Sequence, residues 1–564
     1  MASAKNIQCL KRHLPSFLRD LYRFAKNPGE QYSLWADYLF TLRETKFLRT
    51  SIPKKSNGRV ALIVSMTDFV FQLKLEALLA DGLRNEGWEV KVLTTNPSNT
   101  WGRRYFEAFG ISDFLYWDDF QPTEQEKLKC NEATTQFLSQ TPLSFTAVKS
   151  WIFEKSWIGP QILSSIARNS HKGAPDLTLP SIQNELRRSL PETLERTFRA
   201  NHLLDSIGPS LLMGIESNYA LMGPIVDQAL ARDLQFIQVI QPSREDAIIL
   251  RRLNSKIRRM HPNSLTVKSF DELNKKIVWD ESHEQYLQKE FADRYGGKWF
   301  LQSRNQAGVK NLSLTEITEL LKLNSQKKTG VVFSHILWDA NLFYGEDLFL
   351  DYEDWFVQTV RAACANKEVN WIIKLHPANI WKRARDRVRG ELSEEKLIKE
   401  HVGKLPDHVK LLFPDTEIST KALFDLVDFG VTVRGTTGME LPCFGKRVFT
   451  AGTGRYSGFG FTDDSKTKEE YLNKLARIQC FPEMSPEEIR LAKLYAYGVF
   501  RVRPLSLKSC RCFFRYKKEG HHPLDHNLVL NVKKWSDIEK NGDLKAWTDW
   551  AASSEPDYLD WTQV

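Results

Sequence analysis

The run Arg59-Val-Ala-Leu-Ile-Val-Ser65 is followed by the segment Lys74–Asn85 and then by Glu89-Val-Lys-Val-Leu-Thr94. The outer two are short and rich in β-branched residues, as buried parallel strands are, and the middle one reads as a helix. Strand, helix and strand in close succession form a βαβ unit, which points to a doubly wound sheet. Leu211–Glu216 and Gln235–Gln241, joined by a helix over Ala220–Arg232, extend the same sheet. A second series begins with Thr329-Gly-Val-Val-Phe-Ser-His335 and continues through Asn370–Leu375, His408–Phe413, Phe429–Val433 and Arg447–Thr450. Helices are predicted between these strands over Glu353–Ala365, Thr420–Val427 and Met439–Phe444.

With 564 residues the chain exceeds the roughly 250–300 at which a single core stops growing, so several domains are expected. The reading is an N-terminal helical segment (1–55), a Rossmann-like domain with a helical insertion (56–265) and a helical bridge (266–325). A second Rossmann-like domain (326–484) and C-terminal helices with a tail (485–564) complete it. Ser485-Pro-Glu-Glu488 is a good helix start, whereas after Pro504 the pattern weakens into a polar tail with Trp535, Trp547, Trp550 and Trp561. The predicted class is α/β, with two facing Rossmann-like domains, an N-terminal helical segment and a C-terminal helical tail. That is the GT-B architecture, in which a ligand binds between the domains.

Hydrophobic residues at 42% and charged residues at 26% suit a soluble globular protein. The 79 Lys and Arg against 70 Asp and Glu leave a net charge of +9. This mild excess fits an enzyme that handles anionic nucleotides, and with no recognisable motif it excludes a dedicated nucleic-acid binder. The seven cysteines are scattered without a Cys-x-x-Cys, and no Asp-x-Asp signature precedes a donor loop, so neither disulfides nor a metal are expected. No signal peptide or membrane span is read, and a cytoplasmic location is expected. The basic amphipathic stretch Cys9–Lys26 has Leu14, Phe17, Leu18, Leu21 and Phe24 at helical spacing. It suits packing on its own domain or peripheral contact with an anionic inner-membrane surface. The first βα turn, Ser65-Met-Thr-Asp-Phe69, lacks Gly-x-Gly-x-x-Gly, and no Walker-type Gly-Lys-Ser/Thr occurs, which argues against a dehydrogenase and a nucleotide triphosphatase.

Two strand ends carry the chemistry. Lys374-Leu-His-Pro377 places a cation, an imidazole (His376) and a rigid turn at a carboxyl end, where ligands of open α/β sheets bind. Arg434-Gly-Thr-Thr-Gly-Met-Glu440 follows another strand. Gly435 and Gly438 permit close backbone approach, Thr436 and Thr437 offer hydroxyls at a helix start suited to phosphate, and Glu440 can accept from a ribose or sugar. Downstream, Gly452–Thr462 is glycine-rich and offers Tyr456 for stacking.

The Lys-Leu-His-Pro motif, followed by Arg-Gly-Thr-Thr-Gly-Met-Glu-Leu-Pro-Cys-Phe-Gly-Lys446, resembles the nucleotide-binding half of bacterial capsule-polysaccharide synthesis proteins. These include capsular Kdo transferases and, more distantly, CDP-glycerol-type polymerases; the likeness spans roughly residues 329–465. It implies that His376 and Pro377 meet the donor phosphate and that Thr436, Thr437 and Glu440 form a second donor loop. It also implies a nucleotide-sugar substrate, CMP- or CDP-linked, with no separate cofactor, and a glycan or lipid-linked acceptor. Gln241-Pro242 matches the family's N-terminal Gln-Pro motif, and Glu245 and Asp246 follow it.

A transferase needs a carboxylate or imidazole at the acceptor hydroxyl. Asp68, Glu216 and Asp246 stand at strand ends of the first domain and are the catalytic candidates; each has an alternative as a helix cap or turn residue. His335 and Asp339, in the first βα loop of the second domain, are further cleft candidates. The expected function is transfer of a sugar from a nucleotide donor to a surface or capsular glycan. The rivals are a non-catalytic assembly or export partner with the same two-domain shell, and a nucleotide-sugar epimerase.

Overall fold

The computed structural model describes residues 16–139, 143–242, 244–298, 309–310, 312–339, 342–385, 387–515 and 522–564. The first domain contributes strands β1 (Val60–Val64), β2 (Glu89–Thr94), β3 (Phe114–Tyr116), β4 (Leu211–Gly214), β5 (Gln235–Ile240) and β6 (Ala247–Leu253). The second contributes β7 (Thr329–Phe333), β8 (Asn370–Lys374), β9 (Val409–Leu412), β10 (Phe429–Thr432), β11 (Arg447–Thr450) and β12 (Asp463–Asp464). Three more follow: β13 (Leu505–Ser506), β14 (Cys510–Phe514) and β15 (His526–Leu530).

The second sheet runs β12-β11-β10-β7-β8-β9, parallel throughout. The first runs β13-β6-β5-β4-β1-β2-β3, parallel from β5 to β3, with β6 antiparallel to β5 and β13 antiparallel to β6 at the other edge. Both sheets therefore have a doubly wound order, which reverses between the first and fourth strands, and ligands of such sheets bind beyond the strands' carboxyl ends at that switch point. The cores of β1, β4, β7 and β8 are buried on both faces, which is why these strands read as continuous apolar runs.

The expected N-terminal helical segment is present as helices Ser16–Lys26, Pro28–Glu44 and Lys46–Thr50. Phe17 and Leu21 on the first of these are two-thirds exposed, and Leu14 lies outside the described residues. The helical insertion is built on Glu124–Leu138, Ile158–Ser170 and the long helix Pro180–Ile207, packed around Cys130, Ile162, Leu186 and Leu194. No helix among the described residues is long and apolar enough to cross a membrane.

The C-terminal region holds the expected helix as Pro486–Tyr497, and the stretch read as a polar tail holds two more, Trp535–Asn541 and Asp543–Ala552, together with the β14–β15 hairpin. Helix Pro486–Tyr497 packs beside Met439, Cys443 and Tyr456 of the second domain, and the segment after it returns to the first domain. β13 extends the first sheet, and Trp547 is fully buried against helix Val70–Asn85, donating Nε1–H to the Leu79 carbonyl at 2.9 Å. Asp557 lies between Arg251 and Arg503 at 3.0 and 3.1 Å, with all three side chains completely buried. Trp547 and Trp550 are thus core residues of the first domain and Trp535 packs against that core, whereas Trp561 packs on the cluster around Phe270 and Tyr495.

Candidate functional site

A cleft of about 720 Å³ lies between the carboxyl ends of the two sheets. From the second sheet it receives the loops after β7 (Ser334, His335, Asp339), β8 (Lys374–Pro377) and β10 (Arg434–Thr437). From the first it receives Glu216 after β4 and Gln241-Pro242 after β5. Seven basic side chains against four acidic ones line it, a balance that favours an anionic ligand.

The three loops of the second sheet are tied to one another. The His376 amide donates to Ser334 Oγ at 2.9 Å, and His335 Nε2 accepts from the Val433 amide at 3.2 Å and contacts Thr432 Oγ1 at 3.1 Å. Thr432 Oγ1 in turn accepts from the Gly435 amide at 3.2 Å. His335 also stacks on Tyr352 with ring centroids 4.4 Å apart. Desolvation, reinforced by Arg434 and His376, lowers the His335 imidazole well below its ordinary value, so it is neutral at pH 7 and acts as a fixed polar brace. His376 Nδ1 accepts from the Ala378 amide at 3.1 Å, which leaves Nε2 as the protonated nitrogen of the neutral ring. Lys374 is buried at the end of β8, and desolvation pushes its ammonium down to about 8, opposed by Asp415.

The loop after β10 is tighter than a full helix start: a four-residue turn, Thr437–Glu440, runs into a 3-10 turn, Leu441–Phe444. The amides of Gly438, Met439 and Glu440 are closed onto Gly435 and Thr436. The side chains here divide by task. Arg434 is buried and fully engaged, with an ion pair to Asp347 at 2.6 Å and hydrogen bonds to Tyr352 Oη at 2.9 Å and the Thr453 carbonyl at 3.0 Å. Glu440 is buried too, paired with Arg294 at 2.8 Å and accepting from Tyr295 Oη. Its carboxylate is thus already committed within the protein. Tyr456 does not stack in the cleft. It is buried beneath the loop and donates Oη–H to the Gly435 carbonyl at 2.8 Å. Gly438 is required there, because a Cβ at that position would sit 1.9 Å from Tyr456 Oη.

The residue beside it, Arg455, faces the cleft, donating to the Arg434 carbonyl at 2.9 Å and reaching Thr436 Oγ1 at 3.4 Å. Arg455 has no carboxylate partner among the described residues, and neither has Lys374. These two line the second sheet's side of the cleft as cations without an ion pair, and Arg455 was not singled out from sequence.

On the opposite wall Glu216 stands near Arg168, whose guanidinium lies over the Tyr219 ring at 4.8 Å. Glu216 is exposed and faces the cleft, whose walls partly desolvate its carboxyl. That desolvation raises its carboxyl, with Arg168 opposing and Asp339 adding to the rise. Asp339 itself is ion-paired with Lys382. Arg168 comes from the insertion helix Ile158–Ser170, and no motif surrounds it in the sequence.

The other two catalytic candidates lie elsewhere. Asp68 is exposed on the loop before helix Val70–Asn85 and does not line the cleft; nor does it cap that helix, whose N-cap position is Phe69. Asp246 is exposed, paired with Arg244 at 3.3 Å, and with Glu245 it lines an adjoining groove. Among the described residues no group of His, Cys, Asp and Glu is placed to hold a metal ion.

The family model described as capsule polysaccharide biosynthesis protein matches residues 289–484. No curated protein sequence matches the chain. Similar solved structures include the Thermosulfurimonas dismutans KpsC beta Kdo 2,4 transferase, 15% identical over 53% of this chain and 82% of that one, with a TM-score of 0.33. Neisseria meningitidis UDP-GlcNAc 2-epimerase bound to UDP-GlcNAc is 10% identical over 78% of this chain and 96% of that one, at a TM-score of 0.26. Anabaena HepE in complex with UDP and glucose is 10% identical over 78% and 94%, at 0.25. Residues 289–484, which match the capsule polysaccharide biosynthesis family model, carry every loop that the second sheet sends into the cleft.

Proposed function

We propose that the protein is a glycosyltransferase that moves a sugar from a nucleotide-activated donor to a capsular or related surface glycan. The observation that carries this reading is the division of the cleft: Lys374, His376 and Arg455 on the second sheet's side, the Glu216 carboxylate on the first sheet's side. Lys374, Arg455 and the Nε2–H of His376 receive the donor phosphate, and the Thr436–Thr437 turn lets its backbone approach. Arg434 and Glu440 hold that turn in shape through Asp347 and Arg294. During transfer the bond between the anomeric carbon and the phosphate oxygen breaks and the acceptor oxygen bonds to that carbon. Glu216 takes the acceptor proton, and the nucleotide leaves with its negative charge beside Lys374 and Arg455.

A thermal-shift series with CMP, CDP, UDP, GDP and their sugars on the wild type and His376→Ala tests the donor side. Stabilisation by one nucleotide class, weakened about tenfold or more in the variant by loss of a charge-assisted hydrogen bond, is expected. If no nucleotide shifts the wild type, the reading fails.

A further inference from the structure

Beside the main cleft, and sharing Arg244 and Glu290 with it, lies a second open groove of about 700 Å³. Its walls are the turn between β5 and β6, helix Glu281–Tyr295 and the segment from Ser506 to Cys512. Glu245 and Asp246, expected from sequence at the catalytic cleft, stand on this groove instead.

Glu290, at the junction of the two spaces, is only 6% exposed. One of its carboxylate oxygens accepts from Tyr286 Oη at 3.3 Å, whereas the other, Oε1, is buried with no hydrogen-bond partner in the protein. Leaving a buried polar oxygen unsatisfied costs about 1–3 kcal/mol, so its retention at an opening between two grooves favours a ligand that supplies the missing donor. A sugar hydroxyl does so. Desolvation raises the Glu290 carboxyl to about 7, against Arg244, so it can also donate when protonated.

Further along, the Arg501 guanidinium lies over the Tyr286 ring at 4.6 Å. Arg501, Lys289, Lys508 and Arg511 line the groove without a carboxylate partner among the described residues. By contrast, Asp246 is paired with Arg244, and Asp293 with Lys298. Glu245 also lines the groove, so four cations stand there against one further carboxylate and Glu290, and the balance is positive.

We propose that this groove holds the acceptor glycan, a carboxylate-bearing oligosaccharide whose reactive end passes Arg244 and Glu290 into the main cleft. Lys289, Arg501, Lys508 and Arg511 then pair with its acidic groups, and Glu290 with a hydroxyl of the residue entering the cleft. The proposal rests on the transferase reading, and its test separates the two.

Calorimetric titration of the full chain with oligogalacturonate and oligosialate hexamers, and with neutral maltohexaose, measures acceptor binding. A parallel titration with the nucleotide that stabilises the wild type reports on the donor side. The acidic oligosaccharides should bind, more weakly as salt rises, and maltohexaose should bind far less. Because Lys508 and Arg511 are exposed, Lys508→Ala with Arg511→Ala should fold normally. It should weaken acidic-oligosaccharide binding about fivefold while leaving nucleotide affinity unchanged. The proposal is overturned if the wild type binds none of the acidic oligosaccharides, or if the double variant binds them as tightly as wild type. Acidic-oligosaccharide binding that is sensitive to Lys508 and Arg511, with no nucleotide bound, would leave the groove assigned and refute the donor reading.

Discussion

Lys374 enters the cleft with its ammonium held at about 8 by burial, so near neutral pH it lies at the edge of losing its charge. An anionic phosphate stabilises the protonated form, and a nucleotide that binds above pH 8 must bring a proton with it. The affinity for a nucleoside diphosphate should therefore fall as pH rises from 7 to 9. Titration in buffers of different ionisation enthalpy should show proton uptake in that range, and Lys374→Met should remove it. The motif around Lys374 and His376 was legible because a strand end displays its residue types in order. Arg455 and Tyr456 show where that stops. The loop offered both to the reader, but only the backbone path decides that the arginine faces the cleft and the tyrosine packs beneath. Arg168 was invisible for another reason: it reaches the cleft from a helix far away in sequence.

Among the elements, the buried parallel strands were read nearly to the residue, because burial on both faces leaves an uninterrupted apolar run. β6 escaped, since Arg251 and Arg252 interrupt its run; both are buried, paid for by Asp557 and by backbone carbonyls at Ser264, Trp550 and Ala551. The turn after β10 depends on an element of one turn, and here Gly438 makes room for the Tyr456 ring. Gly438→Ala should displace that ring, break its bond to Gly435 and destabilise the protein by about 1–3 kcal/mol, as overpacking does. Nucleotide affinity should fall with it, whereas Tyr456→Phe, which removes only the hydroxyl, should cost about 1 kcal/mol. Urea denaturation with and without nucleotide checks both.

At the scale of the whole molecule, the chain leaves the first domain, builds the second and comes back. The return is anchored at Asp557, which burial would raise but which Arg503 and Arg251 hold down at about 2. A carboxylate with a depressed value adds stability above its unfolded pKa near 4 and loses it as pH falls through about 2. Asp557→Ala leaves two buried guanidinium groups without their anion and should cost about 3–5 kcal/mol in chemical denaturation at pH 7. Sequence could not show this return, because the partners lie some 300 residues apart.

The central claim is that the second sheet's loops receive an activated nucleotide from across the cleft. Hydrogen–deuterium exchange of the full chain, with and without the nucleotide that stabilises it, tests that claim most directly. Protection is predicted over residues 334–339, 374–378 and 434–440 and around Arg455. Protection confined to other parts of the chain, with these loops exchanging as in the free protein, would contradict it.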